Sequence, residues 1–178
     1  PASSETTFTY RGKTTAYDNG IPQIFINSSR DTKTKDINLY TDTTKTKVNA
    51  SLMIKGADGS TTEVSNSGTV NVRGNSTSLA DKKAYNLKFD SSINPFGMGT
   101  AKKWSLLANI FDKTMIRNYM GLNFQRYLES TQTPFENNVS KAFTSNCKNV
   151  DLYVDGKYLG TYLLTESVEV GADRVNID

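Results

Sequence analysis

The sequence has 178 residues, with no histidine and a single cysteine, Cys147. The lack of histidine excludes His-based zinc sites, Ser-His-Asp triads and Cys-His dyads, and with them most hydrolase chemistries. One thiol cannot form an internal disulfide. No apolar run approaches the roughly 18 residues that a membrane span needs. We therefore expect no membrane span and no histidine-dependent catalysis.

The chain also lacks a strong excess of charge of one sign. Its net charge is +3, from 21 basic and 18 acidic residues. This excess is too small to predict a nucleic-acid groove, although it permits an anionic ligand. The length suits one core, or half of a two-lobed domain. The first residues are typical of a linker, so we predict an N-terminal extension over residues 1–20 and a domain over residues 21–178.

Apolar periodicity predicts several strands and one helix. Residues 21–26 form the first predicted strand, which Pro22 places at a sheet edge. Residues 48–55 alternate in polarity, as in a half-buried strand. Asp155-Gly156 is the strongest hairpin signal in the chain. One helix is predicted after Asp112 as N-cap, ending near residue 131. The predicted fold class is α+β, a mainly antiparallel twisted sheet crossed by one long helix.

The most informative stretch joins two of the predicted strands. Residues 70–77 (VNVRGNST) are followed closely by residues 82–89 (KKAYNLKF). Gly74 lets the backbone approach a ligand closely, while Arg73 and the lysines supply positive charge. Asn75 and Ser76 offer short polar side chains, although turn capping explains them equally well. This chemistry is typical of an anion cradle, most often for a phosphate.

The order of the elements is that of a protein-kinase amino-terminal lobe: strand, polar glycine turn, lysine-bearing strand, capped helix and hairpin. In such a lobe the turn covers phosphates, a strand lysine neutralises them and the helix braces that lysine. The usual kinase glycine signature, G-x-G-x-x-G, is absent.

Five blocks of sequence resemble the CotH kinase family, which is named for spore coat protein H. They are RGNST (73–77), KKAYNLKF (82–89), KWSLLAN (103–109), DKTMIRN (112–118) and GKYLGTYLLTE (156–166). The resemblance runs from about residue 21 to the last residue. It implies an atypical kinase fold that uses ATP with Mg²⁺ or Mn²⁺ to phosphorylate serine or threonine on a protein partner. It also implies an extracellular, cell-surface or spore-coat location, and family members occur in cellulosome components.

One departure from the family concerns the catalytic aspartates, which in its members lie downstream of the block ending at Glu166. Nothing in this sequence matches that region. We therefore expect the ATP-binding half of a kinase, which needs the remainder of the kinase domain and is inactive alone. The alternative is a non-catalytic, pseudokinase-like binding or scaffold module, in which aromatic side chains and Thr-rich strands contact polysaccharide.

The candidate nucleotide-binding residues follow from these blocks. Lys83 and Lys88 lie on opposite faces of their strand, so only one of them points into a cleft, and the pattern leaves open which. Arg117, with Asn118 beside it, is expected one turn into the helix, where it braces the phosphate lysine or ties the helix to a loop. Glu166 begins the segment expected beside adenine. The full candidate set is Arg73, Gly74, Asn75, Ser76, Lys83, Lys88, Arg117 and Glu166.

Overall fold

The computed structural model describes residues 5–9, 13–17, 20–28, 37–58, 62–131, 144–171 and 175. Within these ranges the chain forms nine strands and one α-helix. The strands are β1 (Glu5–Thr9), β2 (Lys13–Tyr17), β3 (Gln23–Ser28), β4 (Val48–Lys55), β5 (Thr62–Arg73), β6 (Ala84–Ile93), β7 (Ala101–Leu107), β8 (Cys147–Val154) and β9 (Lys157–Glu166). The helix is α1 (Arg117–Thr131), and short 3-10 turns occupy Ser76–Leu79 and Pro95–Gly97.

Seven of the strands form a closed barrel in the order β3-β4-β5-β6-β7-β9-β8. Neighbouring strands are antiparallel except at one place, where β3 runs parallel to β8 and closes the barrel. In that register Gln23 lies beside Asp151 and Ile26 beside Val154. Strands β1 and β2 form a separate antiparallel pair within residues 1–20. The division into a linker and a domain stays a prediction.

The predicted twisted sheet, like that of a kinase amino-terminal lobe, is wrong, because the described strands form a closed mixed barrel. Local hairpin signals identify antiparallel neighbours, but the pairing of β3 with β8 joins segments more than 100 residues apart and has no turn signal. The expectation that Pro22 marks an edge strand is wrong for the same reason. Strand β3 has neighbours on both sides, and the carbonyl of Pro22 accepts a hydrogen bond of 2.8 Å from the Asp151 amide.

The turn between β8 and β9 fastens the strand that closes the barrel. The Asp155 carboxylate accepts hydrogen bonds from the Ser28 amide at 2.8 Å and from the Ser28 hydroxyl at 2.6 Å. The Asp155 amide in turn donates to the carbonyl of Ile26 at 2.8 Å. Asp155 and Gly156 both have positive φ, as the predicted hairpin turn requires. One aspartate therefore both shapes the turn and holds the end of β3.

The barrel interior is filled by the inward-facing side chains of the seven barrel strands. In β6 these are Tyr85, Leu87 and Phe89, as the alternation of that strand predicted. Trp104 is fully buried and donates from its indole nitrogen to the Ala101 carbonyl. The interior is therefore a packed apolar core rather than a channel. Its other members include Ile24, Ile26, Leu52, Ile54, Val70, Val72, Leu106, Val150, Leu152 and Leu164.

The helix lies outside the barrel and packs weakly against it. It begins at Arg117, so Arg117 is its first residue and does not lie one turn inside it. Asp112 lies too far from this start to be the predicted N-cap residue, but its carboxylate accepts a hydrogen bond of 2.9 Å from the Arg117 amide, the first of the helix. None of the helical residues is buried. The predicted sheet-crossing helix is therefore wrong in its placement. No helix within the described ranges is long and apolar enough to cross a membrane.

Candidate functional site

A cavity of about 460 Å³ opens at one end of the barrel, where β5, β6 and β7 meet the start of α1. The strand register brings these ends together, because Arg73 pairs with Ala84 and Tyr85 pairs with Leu106. We call this the Arg73 cavity. It is lined by Arg73, Gly74, Thr77, Lys82, Ala84, Leu107, Ala108, Asn109, Ile110, Phe111, Asp112, Arg117 and Asn118.

The glycine turn forms one wall of the Arg73 cavity. Gly74 has a φ of +97°, which L side chains rarely adopt. A Cβ at this position would lie 1.8 Å from the Thr77 Oγ1 atom. The 3-10 turn that follows is tied by Ser78, whose amide and hydroxyl both donate to the Asn75 carbonyl. Only glycine lets the chain fold back this tightly beside the cavity.

Three cationic side chains border the Arg73 cavity. Arg73 and Lys82 are half-buried, and burial lowers the pKa of each. The charge of Asp151 opposes this effect on the pKa of Lys82. The Lys82 ammonium donates to the Thr161 carbonyl at 2.6 Å and lies 4.4 Å from the centroid of the Tyr162 ring. Arg117 is largely exposed, with 80% of its side-chain surface accessible.

Amide side chains and one carboxylate complete the polar wall. The Asn118 amide donates to the Asn109 side-chain oxygen at 2.7 Å. Asp112 accepts hydrogen bonds from the amide and hydroxyl of Thr114 and from the Arg117 amide. These hydrogen bonds, the Thr114 hydroxyl first, lower the pKa of Asp112. The Oδ1 atom therefore serves the turn before the helix and lies 3.5 Å from the Arg117 Nε atom, while Oδ2 bonds the first helical amide.

The structure brings three of the predicted residues to the Arg73 cavity: Arg73, Gly74 and Arg117. Asn75 and Ser76 are exposed on the turn and do not line this cavity. The Asn75 side chain instead accepts a weak hydrogen bond from Lys45 at 3.4 Å. A role for Asn75 and Ser76 in binding a ligand stays a prediction.

The two predicted lysines, Lys83 and Lys88, lie outside the Arg73 cavity. Lys83 is buried and donates to the Ser78 carbonyl at 2.9 Å. Lys88 is exposed on the outer face of β6, four residues beyond Ala84. At about 3.4 Å per residue this places it roughly 14 Å along the strand from the rim of the cavity. Neither residue lines the Arg73 cavity.

Glu166 is also distant from the Arg73 cavity. It lies opposite Trp104 in the sheet, whereas Leu107 at the cavity lies opposite Leu163. Its carboxylate accepts a hydrogen bond of 2.8 Å from the Asn146 amide. The side chain thus fixes the start of β8 in this structure. Its expected contact with adenine stays a prediction.

Sequence reasoning missed Lys82 and Asn109 as cavity residues. Lys82 precedes β6 by two residues, so the alternation of that strand gave no information about its direction. Asn109 has a φ of +50°, a conformation for which asparagine is enriched. The available signal was an asparagine directly after a buried strand, because asparagine at such a position indicates a backbone with positive φ.

The fold and the cavity define a small β-barrel domain with a cationic, amide-lined cavity at the rim beside the N-terminus of a helix. The family model of the CotH kinase protein matches residues 70–178. This range is more than half of the chain and includes every residue that lines the Arg73 cavity. The chain belongs to the CotH kinase family. No curated protein matches the sequence.

Proposed function

We propose that the Arg73 cavity binds the phosphates of ATP and that the chain is the nucleotide-binding part of a serine/threonine protein kinase. The observation that carries this proposal is the convergence of Arg73, Lys82 and Arg117 on one cavity beside the first turn of α1. Arginine and lysine are the side chains that bind phosphate most strongly. The helix N-terminus adds a partial positive charge on the same side.

Burial of the cations supports an anionic ligand. Burial lowers the pKa of Arg73 and Lys82, which means that the surroundings disfavour their charged forms. Within the described residues, neither side chain forms a salt bridge with a carboxylate. A bound phosphate would offset the cost of holding these charges away from water. Lys82, rather than Lys83 or Lys88, is the lysine placed to do so.

Another part of the cavity lining is apolar and suits a planar ring. It is formed by Ala84, Leu107, Ala108, Ile110 and Phe111. The Phe111 side chain is 71% exposed, so its ring is free to stack on a ligand. A volume of about 460 Å³ lies within the usual range of roughly 300–1,000 Å³ for small-molecule sites. The phosphates of ATP fit the cationic part of the lining, and the adenine ring fits the apolar part.

The described residues offer no set of side chains for the Mg²⁺ or Mn²⁺ that accompanies ATP in the proposed reaction. No group of three or more acidic, cysteine or histidine side chains gathers within them. Asp112 is the one carboxylate on the cavity, and its two oxygens accept hydrogen bonds from Thr114 and from the Arg117 amide. The proposal therefore assigns the phosphate-binding residues and names no metal ligand.

Membership of the CotH kinase family supports the remaining parts of the proposal. The proposed acceptor is a serine or threonine hydroxyl on a protein. The proposed location is the cell exterior or the spore coat, and the proposed source of catalytic carboxylates is the remainder of the kinase domain.

The proposal is tested by calorimetric titration of the chain with ATP, with and without Mg²⁺ or Mn²⁺. Arg117→Gln removes an exposed cation, so the barrel should remain folded. The loss of one charge-assisted contact of about 1.5–3 kcal/mol should weaken ATP binding about 10- to 100-fold. Lys113→Gln is the matched control, since Lys113 is exposed nearby and does not line the cavity.

Equal losses in both variants would contradict a specific phosphate site. A parallel titration with a soluble glucan tests the scaffold alternative. If glucan binds and ATP does not, the cavity is not a nucleotide site.

A further inference from the structure

A second cavity of about 380 Å³ adjoins the Arg73 cavity and shares Lys82 and Ile110 with it. It lies beside the hairpin of β8 and β9, and we call it the Tyr158 cavity. Three lysines and one aspartate line it, which leaves an excess of two positive charges. The lining residues are Tyr40, Asp81, Lys82, Lys83, Tyr85, Ile110, Lys157, Tyr158, Leu159 and Tyr162.

The lysines of the Tyr158 cavity contact neutral groups rather than carboxylates. The Lys83 ammonium donates to the Ser78 carbonyl, and the Lys82 ammonium donates to the Thr161 carbonyl. The Lys157 ammonium lies 5.0 Å from the centroid of the Tyr40 ring. Among the described residues, none of these three lysines forms a salt bridge. These lysines therefore have no direct ion-pair partner in the described part of the chain, although the Asp151 carboxylate acts on Lys82 through space.

Lys83 is the most informative of the three, because only 7% of its surface is exposed. An ammonium group has three donors, and a buried one is costly unless an anion or several acceptors surround it. Here one backbone carbonyl is its hydrogen-bond acceptor within the described structure. A second, entering acceptor with negative charge would complete its surroundings.

Tyrosine rings give the Tyr158 cavity fixed walls. The Tyr85 hydroxyl donates to the Leu39 carbonyl, and the Tyr162 hydroxyl donates to the Lys83 carbonyl at 2.9 Å. Tyr158 is half exposed at the mouth, beside the exposed Lys157. The Tyr158 cavity thus has fixed aromatic walls and an exposed mouth, which leaves room for a phosphate that remains attached to a polypeptide chain.

We propose that the Tyr158 cavity binds a phosphate monoester carried by the protein substrate, so that an already phosphorylated residue positions the next acceptor hydroxyl. A phosphate monoester carries a charge of about −2 and three acceptor oxygens, so it can pair with both Lys83 and Lys157, which a single carboxylate does less well. Because the two cavities share Lys82 and Ile110, a peptide anchored here by its phosphate can extend its next hydroxyl toward the proposed nucleotide phosphates. This inference rests on the proposed nucleotide site.

The test is fluorescence anisotropy with three versions of one labelled serine-containing peptide: unmodified, with a single phosphoserine, and with glutamate at the same position. The full chain is titrated with each peptide. We expect the phosphopeptide to bind at least tenfold more tightly than the other two, with an affinity that falls as salt rises. Equal binding of the three peptides would overturn the proposal, and equal binding of the glutamate and phosphoserine peptides would overturn the assignment to phosphate.

Variants locate the binding site. Lys157→Gln alters an exposed residue and should weaken phosphopeptide binding at least fivefold, whereas Lys148→Gln, an exposed lysine of β8 outside the cavity, should not. Lys83→Met tests the buried ammonium, with circular dichroism to confirm folding. Unchanged affinity in a folded Lys157→Gln protein would refute the site.

Arg117→Gln separates this inference from the proposed nucleotide site. That variant should lose ATP affinity and keep phosphopeptide affinity, because Arg117 does not line the Tyr158 cavity. If ATP binds and the phosphopeptide does not, the further inference fails while the nucleotide proposal stands. If the phosphopeptide binds and ATP does not, the nucleotide proposal fails and the cavity is a phosphopeptide site without the proposed transfer role.

Discussion

Replacing Asp155 with alanine should weaken the closure of the barrel. The Asp155 carboxylate holds the end of β3 through two hydrogen bonds from Ser28, at 2.8 Å and 2.6 Å. Hydrogen bonds to charged groups contribute about 1.5–3 kcal/mol each. Asp155 is partly exposed, so we take a combined loss of about 2–3 kcal/mol for the pair. Alanine at a φ of +47° adds a backbone penalty of about 1 kcal/mol.

Asp155→Ala should therefore lower the free energy of unfolding by about 3–4 kcal/mol in urea denaturation, a large part of the roughly 5–15 kcal/mol of a typical domain. At about 2–4 °C per kcal/mol, the melting temperature should fall by about 6–16 °C. Asp155→Asn keeps a residue that tolerates positive φ and keeps one acceptor, so its loss should be about half as large. A double-mutant cycle with Ser28→Ala measures the coupling directly.

Asp90→Ala is the control for the loss of a carboxylate from the surface. Asp90 is exposed on β6, and such changes usually alter stability by less than about 0.5 kcal/mol. If Asp155→Ala lowers the free energy of unfolding no more than Asp90→Ala does, the hydrogen bonds between Ser28 and Asp155 do not contribute to closure of the barrel. A coupling energy near zero between Ser28 and Asp155 would refute the reasoning in the same way.

Two further predictions concern the glycine turn and the buried phenols. Gly74→Ala should destabilise the protein by about 1–3 kcal/mol and weaken ATP binding, because its Cβ would meet Thr77 at a strained φ. Gly121→Ala is the control, because Gly121 faces open space on the helix and alanine there should stabilise the protein by about 0.5–1 kcal/mol. A loss of stability at Gly74 no greater than that at Gly121 would contradict this explanation. Burial raises the pKa of Tyr85 and of Tyr162 far above the usual value near 10. The pKa of each phenol is higher in the folded than in the unfolded protein. The stability that the two buried neutral phenols contribute is therefore fully present below about pH 10 and is lost as the pH rises further. Absorbance of tyrosinate at 295 nm should show that some of the nine tyrosines ionise only with unfolding, and complete ionisation of a protein that keeps its circular dichroism would contradict this.

Part of the candidate site was predicted from the sequence. Arg73, Gly74 and Arg117 were expected at a ligand site and each lines the Arg73 cavity, while their role in binding a ligand stays a prediction. Gly74 was identifiable because a tight turn places a demand on the backbone that few residues meet. The sequence did not show which lysine lines the cavity. Lys82 and Lys83 are adjacent and both precede β6, so the two-residue period of that strand gives no direction for either side chain. Only the packing of Lys83 against Ser78 and Tyr162 shows that Lys82 is the one at the Arg73 cavity.

The sequence by itself determined several strands of the barrel, the β8–β9 hairpin and the presence of one helix, because alternation, turn residues and helical periodicity are local properties of the chain. It did not determine that the sheet closes, nor that the helix lies outside it. Both depend on contacts between distant segments, above all the parallel pairing of β3 with β8 and the hydrogen bond from Ser28 to Asp155. Such pairings are decided by the shape and burial of the whole core. For that reason the tertiary structure alone fixed the barrel and the two adjoining cavities at its rim.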